Sequence, residues 1–143
     1  MISLKNTLKA ISSKFSALNT LLNDVPHYTL LWTNPNPTSS FSAQTISLDL
    51  SKYDAVEISF RRWSTETILY TQRVLEKNAG VGMSTAADNF LSYRCCLFTD
   101  SGVTFDPPYY YPDYAGGSWT LTQRDTRAYV PYKIYGIKFG GGV

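Results

Sequence analysis

The chain has one histidine and two cysteines, so chemistry that needs a nucleophile with its base, or a metal with its ligands, has few residues to draw on. His27 has no second ligand of its type, and no Ser or Cys stands at a spacing that marks it as a nucleophile's base, so it reads as a sheet-edge histidine. Cys95 and Cys96 are adjacent, and in a strand they face opposite sides. That makes them a poor disulfide pair and small core side chains, reduced and shielded by the neighbouring Leu97 and Phe98. No HExxH, GxSxG, Gly-rich phosphate loop or metal-ligand cysteine spacing occurs. Glu57, Glu66 and Glu76 are scattered, and their spacing leaves a carboxylate pair at glycosidase separation open. Arg61 and Arg62 beside Trp63 form either an anion clamp or a solvated strand edge that discourages sheet-to-sheet association. The expectation is a chain that is not an enzyme and uses neither metal nor cofactor.

What remains is binding, and one segment stands out. Residues 107–119 read Pro-Pro-Tyr-Tyr-Tyr-Pro-Asp-Tyr-Ala-Gly-Gly-Ser-Trp. Three prolines and two glycines there forbid a central strand and predict a loop. Flat rings with polar tips give contact area at little entropic loss, so Tyr109, Tyr110, Tyr111, Tyr114 and Trp119 are the candidate recognition surface for a sugar face or a protein partner. The competing reading is that the same rings pack onto the domain or across a subunit interface.

The element that would carry such a surface is the first 24 residues. Leu4, Leu8, Ile11, Phe15, Leu18 and Leu22 step by alternating fours and threes, the seam of a heptad repeat, with Met1 on the preceding a position. The stripe is narrow, and the other faces carry Asn6, Lys9, Ser13, Ser16 and Thr20. It therefore predicts an oligomerisation helix over 1–24, although about three heptads are too short to stand alone in water. Leucine at a with isoleucine at one d tilts the choice away from a dimer. Lys5, Lys9 and Lys14 read as solvated surface charges.

Asn23-Asp24-Val25-Pro26 ends the helix, and a second unit is expected over 25–143. About 120 residues suffice for one core. Strands are predicted at 27–33, 46–50, 56–61, 66–75, 90–98, 103–105 and 127–139, with 46–50 paired to 56–61 and with 78–82 as a loop. Short strands between Pro, Gly and Asp turns, with no interleaved helices, predict an antiparallel β-sandwich or jelly roll. Aromatics at 15%, with 11 tyrosines, suit a sheet protein. A net charge of +2 is too small to argue for nucleic acid, so none is expected, and no apolar run approaches the length of a membrane span. The N-terminus lacks the apolar core of a secretory signal, which leads us to expect synthesis in the cytoplasm.

Three phrases carry a resemblance: Leu31-Trp32-Thr33-Asn34-Pro35, then Ile46 through Asp54 (Ile-Ser-Leu-Asp-Leu-Ser-Lys-Tyr-Asp), then Val130 through Lys138 (Val-Pro-Tyr-Lys-Ile-Tyr-Gly-Ile-Lys). Over residues 30–138 the chain resembles the C-terminal β domain of bacteriophage structural proteins of the fibre or tail-associated receptor-binding kind. The resemblance implies a homotrimer in the virion, attached to other virion proteins through an N-terminal helix and binding a host-surface receptor, such as a glycan, through the β domain. It lacks the long repeats of large fibres, so a short fibre or tip is expected, and it maps no binding residue onto this chain. The alternatives are a head or tail decoration that binds only virion proteins, and a bacterial carbohydrate-binding module or carbohydrate-active enzyme.

Overall fold

The computed structural model describes residues 3–23, 25–87, 90–111, 114–115, 118–119 and 126–140, with side chains described for all of these except 22–23, 85–87, 90–91, 110–111, 114–115 and 118–119. Among these residues one helix, α1 (Leu4–Asn23), precedes eleven strands: β1 (His27–Thr33), β2 (Gln44–Ser47), β3 (Ala55–Trp63), β4 (Tyr70–Val74), β5 (Gly80–Ala87), β6 (Phe90–Thr99), β7 (Gly102–Phe105), β8 (Tyr109–Tyr111), β9 (Tyr114–Ala115), β10 (Ser118–Trp119) and β11 (Ala128–Lys138).

The strands form two main antiparallel sheets. The first has the order β1-β11-β3-β4, and the second β2-β7-β6-β5, with β8 added beside β7 along β6. They face each other across one core: Val56, Ile58, Phe60, Val74, Val130 and Ile134 from the first meet Met83, Cys96, Phe98, Val103 and Phe105 from the second. Phe41, from the connection between β1 and β2, sits edge-on to Phe105 with ring centroids 5.2 Å apart. Tyr53 lies over Gly136, where an added Cβ would fall 2.5 Å from the ring, so β11 needs glycine at that point to pass beneath it. Tyr129, held at φ 48°, is nailed across the sandwich by its hydroxyl, which donates to the Ser92 carbonyl at 3.0 Å. The outer face of the first sheet is tied crosswise. The Arg73 guanidinium on β4 bonds both Glu57 on β3, at 2.9 Å, and the hydroxyl of Tyr28 on β1, so one bridge spans the two central strands. Ala55 and Ile137, which the register places on that same face, are buried.

Several expectations need correction. Residues 46–50 and 56–61 do not pair: β2 pairs with β7 in one sheet and β3 with β11 and β4 in the other. Both segments carry an apolar row, but each buries it from an opposite wall of the core, so a short connection here crosses between sheets instead of closing a hairpin. Beyond Ser47 the chain leaves the ladder, and Leu48 and Leu50 bond through their amides to the carbonyls of Ser101 and Asp100. The segment from Gly80 is a strand, not a loop, because pairing of Gly80–Ala87 along β6 overrides its weak strand composition. The predicted 107–119 loop is in large part paired backbone. β8 lies in sequence between Pro108 and Pro112 and, among the described residues, pairs only with β6, so the prolines bracket a strand without interrupting it. Tyr114 pairs with Trp119, and Ala115 with Ser118, in a small separate hairpin.

Candidate functional site

α1 is a 20-residue helix with no acidic residue in its first turn and no basic residue in its last, so it gains nothing from the charge preferences of helix ends. All its described side chains, Leu4 through Leu21, are exposed: Leu4 at 74%, Phe15 at 65%, Leu8 at 57%, Leu18 at 50% and Ile11 at 45%. The row from Leu4 to Leu18 is therefore continuous on the helix surface, and no described residue covers it. The Leu22 side chain lies outside the described residues, as does Met1. Ile11, Phe15 and Leu18 border an apolar furrow on that face beside Lys14.

Of the tyrosine-rich strip, Tyr109 is half-buried and stacks on Tyr93, with centroids 5.1 Å apart and planes at 20°. The side chains of Tyr110, Tyr111, Tyr114 and Trp119 lie outside the described residues. Their backbone places Tyr110 opposite buried Ser92, Tyr111 opposite Leu91, and Tyr114 opposite Trp119. The five residues thus belong to two separate paired units.

The arginine pair is spent internally. Arg62 grips one carboxylate oxygen of Glu66 through Nε and Nη2, at 2.8 and 2.6 Å. Arg61 donates to the Glu66 carbonyl and lies 5.7 Å over the Tyr132 ring. Both close the connection between β3 and β4. Glu57 is paired to Arg73, and His27 is exposed at the start of β1. Among the described residues no group of three or more His, Cys, Asp or Glu side chains could hold a metal, and no helix is long and apolar enough to cross a membrane.

The two cysteines do face opposite sides, but unequally. Cys96 is buried, donates to the Val81 carbonyl at 3.7 Å, and has its thiol pushed up to about 12 by that burial, whereas Cys95 is half-buried and not the core residue expected. Maleimide should therefore label Cys95 in the native protein and reach Cys96 only when the domain unfolds. Equal, rapid labelling of both thiols would show that β6 is not an interior strand.

A second place, not singled out from the sequence, lies where the edge strands β1 and β2 of the two sheets adjoin. The connection between them is pinned at several points. Asn34, 5% exposed, donates its backbone N–H to the Tyr132 carbonyl and its side-chain amide to the Pro131 carbonyl, each at 2.8 Å, and accepts the Asn36 N–H at 2.9 Å. The Phe41 N–H donates to Thr126, and the Phe41 carbonyl accepts Arg94 Nη2 at 2.6 Å. Arg94 is wholly buried in the inner row of β6, with its guanidinium 5.3 Å over the Phe41 ring. Its Nε and Nη1 have no acceptor among the described residues, and desolvation pulls its pKa down to about 10. Outside the Phe41 plug opens a cleft of about 290 Å³, lined by Trp32, Asn36, Ser40, Gln44 and Ile46 along with the pinned Asn34. The sequence signal for it was Asn34-Pro35-Asn36-Pro37, whose prolines stiffen the chain as well as ending a strand.

In comparisons with known protein families, curated proteins and solved structures, the chain matches none.

Proposed function

We propose that the protein is a non-enzymatic assembly component of a virus particle, in which three chains join through a short coiled coil of α1 and present their β domains outward for host attachment. The observation that carries this is the exposed heptad row Leu4, Leu8, Ile11, Phe15 and Leu18 on a helix that its own domain leaves uncovered. A lone helix of this length is marginal in water, so a persistent α1 needs a partner, and the narrowness of its stripe fits copies of itself. The phage-like phrases at 31–35, 46–54 and 130–138 support a virion setting. β11 lies between β1 and β3, and β1, β2 and β3 alternate between the sheets, features that support reading the domain as a jelly-roll relative.

On this reading the strip from Tyr109 to Trp119 contributes to the outer surface. Changing Tyr110 and Trp119 together to Ala should abolish attachment to host cells at an unchanged melting temperature. A large fall in melting temperature with attachment intact would identify these rings as packing residues and remove the strip from the reading.

A further inference from the structure

We propose that the cleft between β1 and β2 is a binding site for a single neutral sugar ring. The chemistry of the lining selects the ligand. Its surface combines one indole, from half-buried Trp32, with the amides of Asn36 and Gln44 and the hydroxyl of Ser40, and among the described residues it includes no charged side chain. Among the described lining residues a phosphate or carboxylate ligand would find no cation, and a cation would find no carboxylate. A pyranose presents what remains: an apolar C–H face for the indole and a rim of hydroxyls that both donate and accept, as amide and hydroxyl groups do. The volume of about 290 Å³ is at the small end for ligand sites and suits one ring.

The second support is how the cleft is held. Buried polar groups are retained where they fix a geometry, and two of them tie this connection to different strands. Asn34 staples it to β11 through both the main chain and its side chain. Arg94 reaches from β6 to hold the Phe41 carbonyl, although among the described residues burial leaves two of its nitrogens unmatched and gives it no carboxylate partner. A hydrophobic residue would fill that space at lower cost. We read Arg94 as a positioning residue: it locks the Phe41 plug that forms the floor beneath Trp32, so that Asn36, Ser40 and Gln44 keep their places before any ligand arrives. Exposed Asn36 and Gln44 are free to meet a ligand, since Gln44 makes only a 3.4 Å bond to the Ser42 carbonyl.

This site is independent of the assembly reading, because one chain carries the whole cleft. The test is saturation-transfer NMR on the full chain with glucose, galactose, mannose and N-acetylglucosamine, each titrated into the millimolar range, with Trp fluorescence as a second readout. At least one sugar should bind saturably. Asn36→Ala and Gln44→Ala should each weaken it by about five- to tenfold without moving the melting temperature, as expected for loss of a neutral hydrogen bond. Arg94→Met should leave the melting temperature equal or higher yet weaken binding by about tenfold, a split that a merely structural arginine would not give. The proposal fails if no sugar binds saturably, if the Asn36→Ala/Gln44→Ala double variant binds as the parent does, or if Tyr109→Ala abolishes binding while these variants spare it. None of those failures bears on the oligomeric state, which is measured separately.

Discussion

Replacing Ile11 and Leu18 together with Asp should convert the protein into a monomer whose β domain melts as before. The two residues occupy successive d positions of the seam, half-exposed in the isolated chain, and burying each against neighbouring copies would contribute about 1–2 kcal/mol per subunit. Asp at those layers reverses the sign, because each carboxylate would be buried without a partner at a cost of several kcal/mol. The β core includes no residue of α1, so its melting temperature should hold. Light scattering on the parent and the variant reads the result directly. A parent that is monomeric at micromolar concentration would overturn the assembly reading at once, and a variant that keeps the parent's mass would place the contact elsewhere.

The largest loss of stability from a single methyl group should come from Gly102→Ala. Gly102 opens β7 at φ 151°, opposite Ser47, and a Cβ there would lie 2.2 Å from the Ile46 carbonyl oxygen and 3.2 Å from the Leu48 amide nitrogen. Both obstacles are backbone, and moving them breaks the β2–β7 ladder and the bond from the Leu48 amide to Ser101. With strain and a lost pairing combined, a cost of about 3 kcal/mol or more is expected, which for a domain of this size lowers the melting temperature by roughly 10 °C. Gly82→Ala is the control. No atom lies within 4 Å of a Cβ at that position, so its effect should stay within about 0.5 kcal/mol. Similar losses at the two positions, measured by urea unfolding, would refute the packing around Gly102.

The parts legible in the sequence were those where one local signal decides the outcome. The heptad row is written in the chain, and α1 ends where Pro26 requires it to. β1 and β11 are runs of strand-forming residues and fall within a residue of the expected bounds. β5 was not legible, because Gly-Val-Gly-Met-Ser-Thr-Ala-Ala has little strand preference and is held by its neighbour. The β9–β10 hairpin did carry a cue: Gly116-Gly117 between paired Ala115 and Ser118 is a two-residue hairpin sequence, read instead as a breaker. The most instructive case is β6. Its alternate rows are Leu91, Tyr93, Cys95, Leu97 and Ser92, Arg94, Cys96, Phe98, and hydropathy favours the first as the core row. The protein buries the second, with Ser92, Arg94 and Phe98 fully covered while Leu97 is 42% exposed. Tyr129 and Phe41 supply the bonds that make an inward serine and arginine tolerable, and both come from distant parts of the chain that alternation along β6 cannot reveal. The cleft rests on that arginine, which is why it stayed hidden.

Only residues 24–26 separate α1 from β1, so a pull on the helix enters the sandwich at His27 and Tyr28, on an edge strand. An edge strand gripped from one side peels easily when tugged at its end, one ladder rung after another. The Tyr28–Arg73–Glu57 bridge changes the mechanics, since it clips the start of that strand over β11 and β3 to the far edge. A pull along α1 would thereby be spread over all four strands of the sheet from the first residues onward, and the point at which the helix joins the domain is also the point at which its sheet is strapped.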